Sequence, residues 1–133
     1  MKVFYNPDYV QSGTDFDTTR KSAWIADSLV SDPIPGVEIV APRPATKRDL
    51  VLAHSPDYVQ AVKTGNPIRL ASSSGMGWDK GHWRAVCAST GGVVEAARAA
   101  VQDGVAGSLS SGLHHAGRNS GGGFCTFNGL AVA

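Results

Sequence analysis

Apolar and polar positions along the chain follow two rhythms. Three short runs are β-prone: "KVFYN" at residues 2–6, ended by Asn6-Pro7; "VEIV" at 37–40, which alternates before "APRPA" breaks it; and "GVAGSLSSG" at 104–112. Between them the spacing turns helical. "DTTRKSAWIADSLV" puts Trp24, Ile25, Ser28 and Leu29 on one face of a crossover helix that Pro33 and Pro35 terminate. Thr46 is placed to cap "TKRDLVLAH" with Asp49 reaching back, and Ser55-Pro56 is a strong start for "PDYVQAVKTG". In the longest segment Trp83, Val86, Cys87, Thr90, Val94, Ala97 and Val101 recur every three or four residues, Arg84, Glu95, Arg98 and Gln102 take other faces, and Gly104 is the stop. Its Gly91-Gly92 pair costs about 1 kcal/mol per glycine against alanine, which predicts close approach of another backbone.

Strands alternating with helices favour a parallel sheet with right-handed crossovers and helices on both faces, here an α/β unit of about three strands filling residues 1–133. In such sheets ligands collect beyond the carboxyl ends of the strands. The third run leads into His114 and His115, so position makes them better site candidates than His54 or His82. The stretch "TGNPIRLASSSGMGWDKG" reads as an extended irregular loop, long enough to be functional.

Composition narrows the class. A chain of 133 residues, 42% hydrophobic and 17% charged, buries a real core as one globular unit, and no apolar run approaches the roughly 20 residues of a spanning helix. Twelve basic and 11 acidic residues leave a net charge of +1 with no basic stripe, which argues against nucleic acid or an anionic membrane and for a small, roughly neutral partner. The N-terminus reaches Pro7 and Asp8 before any signal-like region forms, and the only cysteines are Cys87 and Cys125; both point to a reduced, cytoplasmic protein.

The chemistry gathers in "SGLHHAGRNSGGGFCTFNGLAVA". Adjacent histidines in a strand would face opposite sides, one satisfied in the core and one exposed, or they are an acid–base pair. "NSGGGF" is a flexible turn or a place where backbone approaches a ligand, and it matches neither the P-loop nor the dinucleotide pattern. Cys125 is a small buried hydrophobe or a thiol nucleophile. Asp79, in "GMGWD", caps the helix that follows or lies at a pocket.

"GLHHAGRNSGGGFCTFNGLAVA" resembles the histone deacetylase family, which includes acetylpolyamine amidohydrolases, in its His-His-Ala followed by Gly-Phe-Cys and Phe-Asn. "AHSPDYVQAV" is similar to that family's His-x-x-x-Tyr-Val helix, "GMGWD" to the segment with a pocket-rim aspartate, and "TTRKSAWIADSL" to its first helix with an arginine near the start. The family's His-Pro-x-x-Pro-x-Arg approach to that helix is here "TDFDTTR", which leaves the role of Arg20 undefined.

The resemblance implies an arginase/deacetylase-like fold and a zinc-dependent amide hydrolysis yielding acetate and an amine. His114 and His115 would exchange the protons, Phe124 would wall a narrow tunnel, Gly123 would meet the substrate through its backbone, Asp79 would sit at the rim, and Cys125 near the buried acetate end. The zinc ligands it implies, Asp-x-His and a further aspartate, come after the Phe-Asn motif, and this sequence ends at Ala133 before either. The chain is therefore expected to be the N-terminal part of such an enzyme, to hold no catalytic zinc itself, to be inactive alone on acetyl-lysine or acetylpolyamine substrates, and to self-associate through uncovered strand and helix faces. Two other readings stay open: a non-catalytic binding or scaffold module with the same fold, and a cysteine hydrolase pairing Cys125 with His114 or His115.

Overall fold

The computed structural model describes residues 1–12 and 17–133. Three strands, β1 (Lys2–Phe4), β2 (Glu38–Val40) and β3 (Ala106–Ser108), form a parallel sheet in the order β2-β1-β3. Lys2 pairs with Glu38 on one side and with Ala106 on the other, and Phe4 with Val40 and Ser108. From β1 the chain steps outward to β2, then crosses back over β1 to β3. With right-handed crossovers these opposite steps place the two connections on opposite faces of the sheet.

The first connection runs through a 3-10 turn (Pro7–Val10) and helix α1 (Asp17–Ser31). Asn6 caps the turn by accepting the Asp8 amide at 2.8 Å. The side of α1 that goes inward carries Ser22 and Ala26, so Trp24 and Ile25 share a face as their spacing predicts, but that face is exposed. Small side chains fit where α1 lies against the 3-10 turn, and an indole there would hold the two apart. The approach segment "TDFDTTR" falls partly on residues 13–16, outside the described residues.

The second connection holds α2 (Lys47–Leu50), α3 (Pro56–Thr64), α4 (Ile68–Ala71) and α5 (His82–Asp103). The Thr46/Asp49 capping box is formed, Ser55 caps α3 from its hydroxyl, and Gly65 and Gly104 close α3 and α5 in the left-handed conformation. Helix α4 lies inside the stretch expected to be irregular: Ile68–Ala71 makes one turn after Pro67, too short to show a 3.6-residue period in sequence. Helix α5 packs on β1, β3 and the 3-10 turn. A Cβ on Gly91 would stand 2.1 Å from the Arg43 carbonyl oxygen, and one on Gly92 would stand 1.7 Å from the Tyr9 hydroxyl. The glycine pair thus admits a backbone on one side and a tyrosine on the other. Val101, grouped with the inner face by its spacing, is exposed because the last turn of α5 runs past the core.

That core joins Leu50, Tyr58, Val59, Val62, Val86, Val94 and Phe127, so α2, α3 and α5 clamp the segment that follows the glycine triplet. A smaller cluster of Phe4, Ala96 and Ala99 fastens α5 to the sheet. Among the described residues no helix is long and apolar enough to cross a membrane.

Candidate functional site

Strand β3 is shorter than its apolar run, and the chain leaves it through hydroxyl contacts. Ser108 and Ser110 bond each other at 2.9 Å, and the Ser110 hydroxyl donates to the Ser89 carbonyl of α5. His114 and His115 come six and seven residues after β3, in a turn. They do not alternate across a strand: both are exposed, and their rings lie with centroids 4.0 Å apart, inclined at 39°. Their carboxyl-side position beyond the sheet is the one the topology predicts.

The loop after them folds back on itself. Gly122 and Cys125 form an antiparallel bridge, the Gly121 amide donates to the Ser73 hydroxyl at 2.8 Å, and the Phe124 amide donates to the Ser74 carbonyl at 2.8 Å. Among the described residues two non-glycines have positive φ, Leu113 at 55° and Phe124 at 63°. Each left-handed residue costs about 1–2 kcal/mol, and the two frame the histidine turn and the glycine loop. Gly123, at φ +52°, lies under the His115 ring, where an added Cβ would stand 2.9 Å from the imidazole. Glycine is required there for both conformation and clearance.

A cavity of about 540 Å³ lies against this loop. Gly123, Phe124, Cys125 and Thr126 line it, with Met76 and His82 among the opposing residues. His114, His115 and Asp79 are not part of its wall. The structure therefore brings Gly123, Phe124 and Cys125 together at one cavity, packs His115 against Gly123, and ties Asp79 to the cavity wall through Ser12. The Asp79 carboxylate accepts the Gly81 amide at 2.7 Å, just ahead of α5, and the Ser12 hydroxyl at 2.9 Å. Cys125 is buried, its thiol donating to the Gly123 carbonyl at 3.5 Å.

His54 and His82, set aside on sequence position, both hold the site region from inside. His82 is buried at the start of α5, with Nδ1 3.1 Å from the Ser12 hydroxyl and Nε2 3.2 Å from the Thr126 hydroxyl. Because Ser12 donates its proton to Asp79, Nδ1 carries the ring hydrogen, and Nε2 accepts from Thr126. Burial pushes this imidazole below its ordinary pKa, against the opposing pull of Asp79. His54 is 1% exposed; its Nδ1 donates to the Gly117 carbonyl at 2.8 Å and its Nε2 accepts the Asn128 amide at 2.9 Å. Its pKa is also lowered, first by burial. His54 stands in the His-x-x-x-Tyr-Val segment, but neither its partners nor those of His82 are readable locally, since they are 44 to 74 positions away along the chain. Arg20 lies on the exposed side of α1.

A tetrahedral zinc takes three or four protein ligands. Among the described residues no group of three or more His, Cys, Asp or Glu side chains converges on a point, and the histidine pair supplies two rings. The described residues present do not by themselves fit that ion.

The family model of the histone deacetylase domain matches residues 15–133. An uncharacterized protein of Picosynechococcus is 30% identical over 135 residues, spanning 98% of this chain and 45% of that protein. The acetoin utilization protein AcuC of Bacillus subtilis is 36% identical over 107 residues, spanning 72% of this chain and 28% of AcuC. The chain thus spans less than half the length of these curated relatives. In three dimensions it superposes on the crystal structure of the HDA15 HD domain with a TM-score of 0.80 over 98% of this chain and 40% of that one; at 23% identity this likeness speaks for the fold.

Proposed function

Because this chain belongs to the histone deacetylase family, we propose that it carries the proton-transfer half of a site that hydrolyses the amide of an acetylated amine, of the acetyl-lysine or acetylpolyamine kind. The observation that carries the reading is the His114–His115 pair, rings 4.0 Å apart, exposed, and seated on the backbone of Gly123. Among the described residues no side chain hydrogen-bonds their ring nitrogens, so both rings are available to a ligand. An imidazole both accepts and donates protons in neutral water. One ring would take the proton of the water that attacks the acetyl carbonyl. The other would return a proton to the nitrogen as the C–N bond breaks, giving acetate and the free amine.

Phe124 and Cys125 would meet the acyl group from the cavity, and Gly123, which lines the cavity and touches the His115 ring, would bring the two together. Asp79 at the rim is a further proposal: its carboxylate is exposed, which leaves it able to meet an amine outside the cavity. Zinc dependence of a complete protein is also a proposal, one that needs ligands beyond those brought together here. The same shortfall favours a second reading, in which the chain is a binding module that does no chemistry alone.

The test is turnover of acetyl-lysine and acetylpolyamine amides by this chain alone, and by the chain joined to the part of its longer relatives that it does not span. The proposal expects background release of acetate from the first and metal-dependent release from the second. No release from the second sinks the hydrolase reading; chelator-sensitive release from the first sinks the half-site reading. Self-association in a cytoplasmic setting fits the exposed Trp24, Ile25 and Val30 of α1, and light scattering showing only monomer at micromolar concentration would count against it.

A further inference from the structure

We propose that His54 is the positioning residue of the His114–His115 turn, a neutral buried imidazole that fixes both ends of the loop behind the pair. This rests on the reading that the pair is the reactive site. One edge of the ring holds the Gly117 carbonyl, two residues after His115, and the other holds the amide of Asn128. Asn128 passes the restraint on: its side-chain amide donates to the His114 carbonyl at 3.2 Å and the Ala116 carbonyl at 3.1 Å, while its Oδ1 caps helix α6 (Gly129–Val132). The neighbouring Ser55 amide bonds the Arg118 carbonyl at 2.8 Å, so residues 54 and 55 grip residues 117 and 118 together.

The chemistry of the group is specific. One partner is a carbonyl and the other an N–H, and only a side chain with a donor on one edge and an acceptor on the other serves both. A neutral imidazole protonated on Nδ1 does so within a slot walled by Tyr58 and Phe127, whose ring centroids are 5.7 and 5.2 Å away. The Tyr58 hydroxyl in turn donates to the Thr126 carbonyl at 2.6 Å, fixing the chain two residues before Asn128. The left-handed Leu113 at the start of the turn needs such external restraint to persist.

The experiment is NMR on the isotope-labelled chain, reading the cross-peak between the His114 and His115 rings and the hydrogen-exchange protection of the Asn128 amide, with thermal unfolding alongside. His54→Phe keeps a ring in the slot and removes both bonds; it is expected to lose the cross-peak and the Asn128 protection. His54→Gln keeps a donor and an acceptor and is expected to retain the cross-peak, and it carries the test by itself should His54→Phe not fold. Val59→Ala, fully buried and with no side-chain hydrogen bond to the loop, is the control: a lower Tm with the cross-peak intact. Retention of the cross-peak in His54→Phe, its loss in His54→Gln, or its equal loss in Val59→Ala would overturn the proposal. None of these readouts needs turnover, so an inactive site with the predicted NMR pattern would sink only the hydrolase reading.

Discussion

The four histidines divide into a buried pair and an exposed pair, and the two do opposite work. His54 and His82 are each about 1% exposed, bonded on both ring nitrogens, and confined to one tautomer by their partners. His114 and His115 touch each other, face solvent, and meet the protein chiefly through backbone and the Gly123 contact. Bonded to protein groups on both edges, each buried ring holds its partners in place. The inner pair is thus a rigid support, and under the proposed function the proton transfers are expected at the outer pair.

The largest effect that separates the pairs is on stability. His54→Ala removes two hydrogen bonds and leaves the part-buried Gly117 carbonyl and Asn128 N–H without their partner, at a cost of about 1–3 kcal/mol in all. His114→Ala deletes an exposed ring and should stay within about 0.5 kcal/mol of the parent. Urea unfolding of the two variants checks this, and equal losses would erase the distinction.

Next comes the glycine beneath the His115 ring. Gly123→Ala forces a Cβ to 2.9 Å from the His115 ring at positive φ and should destabilise by about 1–3 kcal/mol. Gly36→Ala, at φ +80° with open space around it, should cost about 1 kcal/mol, the backbone strain alone. Chemical denaturation of both, with the His115 ring shift followed by NMR, separates crowding from strain.

A smaller effect is the acid response. Burial holds the folded-state pKa values of His54 and His82 below the ordinary imidazole value of 6.5, so below that pH the unfolded chain binds protons more readily than the folded one. The stability due to each neutral ring is complete above 6.5 and is lost as pH falls from 6.5 toward the lowered folded-state value. Denaturation midpoints across that window should fall, and the slope should shrink in His82→Asn. An unchanged slope would mean His82 is not held neutral by the fold.

The smallest effect concerns the thiols. Burial pushes the Cys87 thiol up to about 12, so it should resist alkylation by iodoacetamide at pH 8 in the native protein and react on unfolding. Mass spectrometry of labelled peptides reads this directly.

Much of this was legible in local sequence. Thr46 with Asp49, Ser55 before Pro56, and Gly104 after a long amphipathic run are signals in which partner and residue lie within one turn, and each formed as the spacing implies. Gly91 announced the close approach of the Arg43–Ala45 backbone by being costly where it stands. The buried face of α1 was not legible, because large apolar Trp24 and Ile25 outweigh small Ser22 and Ala26 in any periodicity, whereas packing against the 3-10 turn selects for size. At the site the His-His and Gly-Phe-Cys residues stood out as a group. The roles of His54 and His82 did not, since hydrogen bonds spanning 44 to 74 residues leave no mark on neighbouring positions.

The most direct test of the outer pair is the rate of acetyl-amine hydrolysis by the chain joined to the part of its longer relatives that it does not span, measured for His114→Ala and His115→Ala with bound metal quantified in the same samples. Loss of a proton-transfer group is typically worth 10²- to 10⁴-fold in rate, so each variant should fall by about that factor with its metal content unchanged, while Cys125→Ala falls far less. Metal lost together with a histidine, or Cys125→Ala as inactive as the histidine variants, would contradict the account.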